Sequence, residues 1–288
     1  MNARPSRRSI LRSTVSASVL FAAGLWPGHA WADDAPQTSD FTFICVNDLH
    51  YFDEHCDHFF QQMVRQITAM NPKPDFCLIV GDLAEDGQLH QLGNIRDHMR
   101  ELKMPTPVVV GNHDYVTQTD RRAFEQLFPN SINYTFEHKG WQFIGADTTE
   151  GRKSLNTVVP RSTLDWLGEQ STKLDRKRPT VLFTHFPMGL FVIARPQNAN
   201  DVLHPFRDFN LQAVFNGHFH SYTVRHGGHA TLTTDKCCSF HHRNHDGTPE
   251  KGYFVCTARD GKITREFIEV MAPSLSTPTQ NGLDLMSL

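Results

Sequence analysis

The 288-residue chain has no C-x-x-C pair, no internal repeat, no Lys/Arg block and no long apolar run. Each absence removes a class of protein. Without C-x-x-C, zinc ribbons and thioredoxin-like redox sites are excluded. Without a basic block or face, nucleic acid is not the expected partner, and neither is an anionic membrane surface. Glycine (18) and proline (16) are too few for collagen, while 39% hydrophobic and 20% charged residues exclude coiled coil and wholesale disorder. The length allows one large domain or two small ones, with ample core; no obvious linker divides it, so one domain is expected. The formal charge is −3. Residues 1–32 hold four arginines and no acid, and without them 24 basic face 31 acidic residues, a net of −7. What the chain does have is 17 histidines, which points to metal or acid–base chemistry.

The first 32 residues read as an address. Arg4, Arg7, Arg8 and Arg12 form a cationic start, an apolar stretch too short to span a bilayer follows, and Ala30-Trp31-Ala32 presents a cleavage pattern. The segment from Ser6 to Arg12 resembles a twin-arginine signal, the alternatives being an ordinary Sec signal or an uncleaved anchor. That resemblance implies twin-arginine export machinery as a partner, a bacterial periplasmic or secreted location, and no membrane attachment after cleavage. The expected organisation is a signal peptide over 1–32, one domain over 33–271 and a loose Pro/Ser/Thr/Asn tail over 272–288. Cys45, Cys77 and Cys256 fall in apolar runs and read as buried small hydrophobes. Export would permit disulfides at Cys56, Cys237 and Cys238, with no pairing legible.

Short apolar runs at 41–47, 75–80 and 105–110 read as buried strands, separated by helical periodicity at 58–70 and 88–103. That alternation predicts parallel βαβ units and an α/β fold. A short helix over 121–128, strands over 133–137 and 141–146, and a helix opened by a Ser162/Asp165 capping box through Lys173 come next. Further strands are expected over 180–184 and 211–216, and an antiparallel pair over 253–259 and 262–270 closes the pattern around Asp260-Gly261.

Every expected parallel strand ends in residues able to bind a cation. They are Asp48 and His50, then Asp82, then Asn112-His113-Asp114, then His185, then His218 and His220. In open α/β sheets, ligands bind beyond the carboxyl ends of the strands. Carboxylate, imidazole and amide donors without thiolate suit Mn, Fe, Zn or Co. Two ions about 3.5–4 Å apart need a bridging oxygen, which a strand-end carboxylate supplies. Gly81 and Gly111, ahead of Asp82 and Asn112, leave room for the backbone to approach. Each motif alone is weak; five in order, each after a strand, make a site.

These motifs, Asp48-x-His50, Gly81-Asp82, Gly111-Asn112-His113-Asp114, Thr184-His185 and Gly217-His218-x-His220, resemble those of the calcineurin-like metallophosphoesterase superfamily. The resemblance runs from about Phe41 to Val270. It implies a four-layer α+β sandwich, two mixed sheets flanked by helices, with two divalent or trivalent metal ions at the strand ends. One ion would take Asp48, His50, Asp82 and His220; the other Asp82, Asn112, His185 and His218. The implied activity is hydrolysis of a small phosphoester by in-line attack of a metal-bridging hydroxide. His113 would stabilise phosphoryl charge or protonate the leaving oxygen, with Glu85 as its acidic partner; Asp114 competes for that role, though ordering the loop is the more frequent duty of such a residue.

Within the superfamily, protein phosphatases follow the metal Asp with a segment ending Asp-Arg-Gly, where this chain has Glu85-Asp86-Gly87. Purple acid phosphatases place Tyr where Glu85 stands. The remaining resemblance is to the cyclic-nucleotide phosphodiesterase-like branch, which implies a phosphodiesterase. The competing readings are a periplasmic phosphomonoesterase, a non-catalytic binding protein on the same fold, and a nuclease, against which the net charge of −7 argues. His241, His242 and His245, with Arg243, read either as a substrate-binding lip or as a solvated turn. The segment from Tyr51 to His58 reads as a loop feeding a helix, with a third metal as the alternative.

Overall fold

A computed structural model of the protein describes residues 38–270; the expected signal peptide over 1–32 and tail over 272–288 lie outside them. In chain order the elements are β1 (Phe41–Val46), α1 (Asp57–Thr68), β2 (Cys77–Val80), α2 (Leu89–Arg100), β3 (Val108–Val109), α3 (Arg122–Leu127), β4 (Asn133–His138) and β5 (Trp141–Ala146). They continue with α4 (Arg161–Lys173), β6 (Thr180–Thr184), α5 (Ala199–Leu203), β7 (Leu211–Asn216), β8 (Thr223–Gly227), β9 (Ala230–Thr234), β10 (Gly252–Arg259) and β11 (Lys262–Glu269). Two mixed sheets result, ordered β11-β10-β1-β2-β3 and β4-β5-β6-β7-β9-β8. The expected sandwich of two mixed sheets flanked by helices is the observed fold.

Strand alternation builds the layers. In β1, Phe43 and Cys45 point between the sheets while Ile44 and Val46 point to the outer helices. In β7, Ala213 and Phe215 face the other sheet while Val214 faces the helical side. The inter-sheet layer is aromatic: Phe136 stacks on Phe143 with centroids 4.7 Å apart, and Phe76 meets Phe143 edge-on. Each such buried ring contributes about 1.5–3 kcal/mol. Helices α1, α2 and α3 cover the first sheet with Phe60, Met63, Leu92, Ile95 and Phe124. Helices α4 and α5 cover the second with Leu167, Ala199 and Val202.

Three local expectations change. Helix α4 starts at Arg161 behind Pro160, and Ser162 sits inside its first turn, so Ser162 is not the cap. The amide of Thr163 donates to the carbonyl of Pro160, whose fixed φ suits a helix entry. The β8–β9 hairpin was not expected, because β8 is half-buried to exposed and has no apolar run to announce it. All six cysteines are buried and free, including the adjacent Cys237 and Cys238.

Strands β1, β2 and β3 run parallel in one sheet, and β5, β6, β7 and β9 in the other. The loops after β1, β2, β3, β6 and β7 meet in one cluster, described next.

Candidate metal centre

The ladder continues briefly past the strands, which fixes the loops that carry the polar residues. Asp48 N donates to Gly81 O at 3.1 Å, His50 N to Asp82 O at 3.0 Å, and Gly217 N to His185 O at 2.9 Å. The backbone then turns sharply: Asp48, His50, Asp82, His218 and His220 all have φ between +44° and +66°. Left-handed backbone is uncommon outside glycine, and clusters of it mark sites where the surroundings enforce geometry. Two glycines permit the approach. A Cβ at Gly111 would stand 2.1 Å from Asp82 Oδ1, and one at Gly81 (φ +84°) 2.5 Å from His185 Nδ1.

The hydrogen bonds turn the protons outward. His185 Nδ1 is 3.0 Å from the carbonyl of Val80 and donates to it, which leaves Nε2 as a lone pair. That lone pair lies 3.2 Å from Asp82 Oδ2, 3.1 Å from Asn112 Oδ1 and 3.2 Å from His218 Nδ1. His218 Nε2 donates to the Ser154 carbonyl at 2.8 Å, so its Nδ1 is also a lone pair. His50 Nδ1 donates to Glu85 Oε2 at 2.9 Å, and its Nε2 faces His220 Nε2 at 3.2 Å and Asp82 Oδ2 at 3.6 Å. His220 Nε2 is in turn 3.5 Å from Asp48 Oδ1. The amide of His113 donates to Asp82 Oδ1 at 2.8 Å, whereas the buried Oδ2 accepts no hydrogen bond from the described residues.

Acceptor atoms facing one another at 3.1–3.6 Å repel unless a cation or a proton stands between them. The protons are drawn in accordingly. Burial favours neutral imidazole, yet Asp82 and Asp48 hold His185 up to about 9, and Asp48 holds His220 up to about 11. Burial, with His185 nearby, pushes His218 down to about 3, and burial takes His50 down to about 4 against the pull of Glu85. Burial would raise Asp48 and Asp82, but the imidazoles hold both below the usual carboxylate range. Nitrogen and oxygen donors from five strand ends, with tautomers fixed from behind, fit a dinuclear metal site.

Asp48, His50, Asp82, Asn112, His185, His218 and His220 therefore come together, and all but His218 are buried. Glu85 and Asp114 take different places. The Glu85 carboxylate goes to His50, to His242 at 2.7 Å and to His241 at 3.5 Å. Its Oε1 is 3.8 Å from His113 Nδ1, which instead donates to the Glu85 carbonyl at 2.8 Å. The carboxylate is thus shared among His50, His241 and His242, with His113 at 3.8 Å. Asp114 is fully buried and accepts from the amides of Gly111, Leu83 and Ala84, so it orders the loop. Burial and the Asp82 charge push its carboxyl up to about 7.

His242 stacks on His50 with centroids 3.9 Å apart, and His245 stacks on His220 at 5.0 Å. The 241–245 segment thus covers the centre. The Tyr51–His58 segment has other duties: Asp53 caps a single turn, and Asp57 accepts from Tyr51 at 2.7 Å and from His98 at 2.8 Å. Among the described residues it joins no group at metal-ligand spacing. A cavity of about 260 Å³ opens over the cluster, lined by His50, Asp82, His113 and His218 and also by Leu155 and Ile193. Ser154, Leu155 and Ile193 had no legible signal, since one acts through its carbonyl and two are plain apolar residues in loops.

Comparison with known proteins locates this arrangement. The calcineurin-like phosphoesterase family profile matches residues 41–222. A probable cyclic nucleotide phosphodiesterase of Synechococcus sp. is 26% identical over 172 residues, 55% of this chain and 63% of that protein. The match thus spans less than two thirds of that relative's own length. A serine/threonine-protein phosphatase of Bos taurus is 25% identical over 251 residues, 79% of this chain and 77% of that one. A dimetal phosphatase structure from Danio rerio shares the fold at a TM-score of 0.61 and 15% identity, covering 80% of this chain and 96% of its own.

Proposed function

The chain belongs to the calcineurin-like phosphoesterase family, and from that premise we propose that it hydrolyses small phosphodiesters at a centre of two metal ions. The observation that carries the proposal is the convergence of seven donor side chains, three of whose imidazoles (His50, His185 and His218) donate a ring N–H away from the cluster. Asp48, His50, Asp82 and His220 would hold one ion, and Asp82, Asn112, His185 and His218 the other. Mn, Fe, Zn and Co all suit such nitrogen and oxygen donors. When bound, two such cations supply Lewis acidity toward phosphoryl oxygens and acidify coordinated water.

The chain's own residues do the rest. Asp82 Oδ2, free of hydrogen bonds from the described residues, is the oxygen both halves share. The carbonyls of Val80 and Ser154 fix the tautomers of His185 and His218, as the Glu85 carboxylate fixes His50. His113 is half-buried in the cavity wall with Nδ1 committed to the Glu85 carbonyl, which leaves Nε2 to meet a phosphoryl or leaving-group oxygen. The diester preference rests on the phosphodiesterase-named relative and on Glu85-Asp86-Gly87 in place of a phosphate-holding arginine. The longer alignment with the Bos taurus phosphatase favours the second reading, a phosphomonoesterase.

Export belongs to the same proposal. Residues 6–12 resemble a twin-arginine signal, and six buried thiols free of disulfides suit a chain that folds in a reducing compartment before reaching the periplasm.

The test compares bis-p-nitrophenyl phosphate with p-nitrophenyl phosphate on Mn-reconstituted protein, with Asp82→Asn as the blank. Faster turnover of the diester, lost in the variant, is the expected result. Faster monoester turnover transfers the assignment to the phosphomonoesterase. No turnover above the blank, with metal bound, favours a binding protein.

A further inference from the structure

Nine large hydrophobic side chains are exposed among the described residues, and five of them sit on two loops: Leu155 and Val158, then Leu190, Phe191 and Ile193. Both loops wall the cavity over the metal cluster, through Leu155 and Ile193. Scattered exposed apolar residues are ordinary, but exposed apolar residues that line a cavity over a polar cluster mark a binding surface.

The second loop is built to keep its side chains out. Phe191 is 94% exposed and has φ +62°, and Ala194 has φ +64°. A bulky residue in left-handed backbone is strained, and its place beside a site is a reason to look for a role. The loop is anchored rather than loose: Val192 is buried, Arg225 donates to the Leu190 carbonyl at 3.2 Å, and Arg195 donates to that of Met188 at 2.9 Å. Apart from its apolar residues the cavity is lined mainly by imidazoles and Asp82, so its lining combines two chemistries.

The geometry points to a substrate whose spectator ester substituent is an apolar chain, received by Leu155 and Ile193 while the phosphoryl group lies toward His113. This rests on the phosphodiesterase reading above and adds the substrate class. In the hydrolysis, a P–O bond forms from water, the P–O bond to the leaving group breaks, and the departing oxygen takes a proton. The apolar substituent stays on phosphorus and contributes through burial alone.

The experiment uses n-alkyl p-nitrophenyl phosphates from methyl to octyl, each below its micelle-forming concentration, on the metal-loaded protein. We expect kcat/KM to climb by about two- to fourfold per methylene over the first carbons, as apolar burial dictates. In the double variant Leu155→Ser/Ile193→Ser the octyl-to-methyl ratio should collapse toward one, with thermal unfolding measured to establish that the variant is folded. Calorimetric titration with methyl- and octylphosphonate gives a readout apart from turnover, and the octyl compound should bind more tightly only to the unsubstituted protein. Nitrophenol release that ignores chain length overturns the apolar wall and leaves the phosphodiesterase reading intact. Absence of release from every member overturns the phosphodiesterase reading itself.

Discussion

The two halves of the metal centre are supported differently. Around His50 and His220 the donors include two carboxylates, Asp48 and Asp82, with a third, Glu85, behind His50 at 2.9 Å. Around His185 and His218 the donors are Asp82 and the neutral amide of Asn112, and the groups behind the rings are the carbonyls of Val80 and Ser154. The first half concentrates negative charge and the second does not. A cation in the first half would be held firmly, while one in the second keeps more of its charge uncompensated and polarises a bound phosphoryl oxygen more strongly. Under the proposed function, the contrast would give retention to one half and activation to the other.

The largest effect should come from the oxygen the halves share. Asp82→Asn removes the common charge, so turnover of bis-p-nitrophenyl phosphate should fall by at least about a thousandfold. Metal analysis of the purified variant should find fewer than two ions per chain; two retained ions would break the premise of a shared ligand. Next comes Glu85→Gln, which touches only the first half. Loss of a charged partner behind a ligating imidazole costs about 10–100-fold in metal affinity. A two-step calorimetric titration should therefore show one weakened step and one unchanged, and equal weakening of both would erase the distinction.

A third expectation concerns protons. In the metal-free protein each half holds one raised imidazole, His185 up to about 9 and His220 up to about 11, beside one lowered ring. Both raised values lie above the ordinary 6.5. The stabilisation they lend is therefore complete below pH 6.5 and is lost as pH rises through about 9 and then about 11. The metal-free protein should show a falling Tm between pH 7 and 10, and the Mn-loaded protein a flatter one. Metal binding near pH 7 should release protons, read as a dependence of the calorimetric heat on buffer ionisation enthalpy. A flat Tm in the metal-free protein would mean that these rings are not protonated.

The metal half-sites were legible from sequence because their ligands follow buried strands. Ile44 and Val46 face helices while Phe43 and Cys45 face the other sheet, which leaves a continuous apolar run pointing straight at Asp48. Asp and His also tolerate left-handed backbone better than most residues, so the sharp turns at Asp48, His50, Asp82, His218 and His220 need no marker beyond residue type. What surrounds the ligands was not legible. The carbonyl of Ser154 holds His218, and a backbone oxygen leaves no trace in residue identity. Glu85 lies 3.8 Å from His113, and His241 and His242, arriving from more than 150 residues away, also claim its carboxylate with His50. The β8–β9 hairpin escaped because its edge strand β8 is half-buried to exposed, and the buried β9 is three-fifths threonine, so neither shows an apolar run.

The smallest effect should separate affinity from activation. Asn112→Asp places a second carboxylate in the half that now has one, facing His185 Nε2 across the 3.1 Å at which the amide oxygen stands. If uncompensated charge is what that half provides, the second ion should bind about tenfold more tightly while kcat falls by a few-fold. The fall should be sharper for bis-p-nitrophenyl phosphate than for a diester with a better leaving group, because a reactive substrate depends less on polarisation. Tighter binding with kcat unchanged or raised would mean that Asn112 was not chosen for its neutrality, and the functional contrast between the halves would reduce to one of affinity alone.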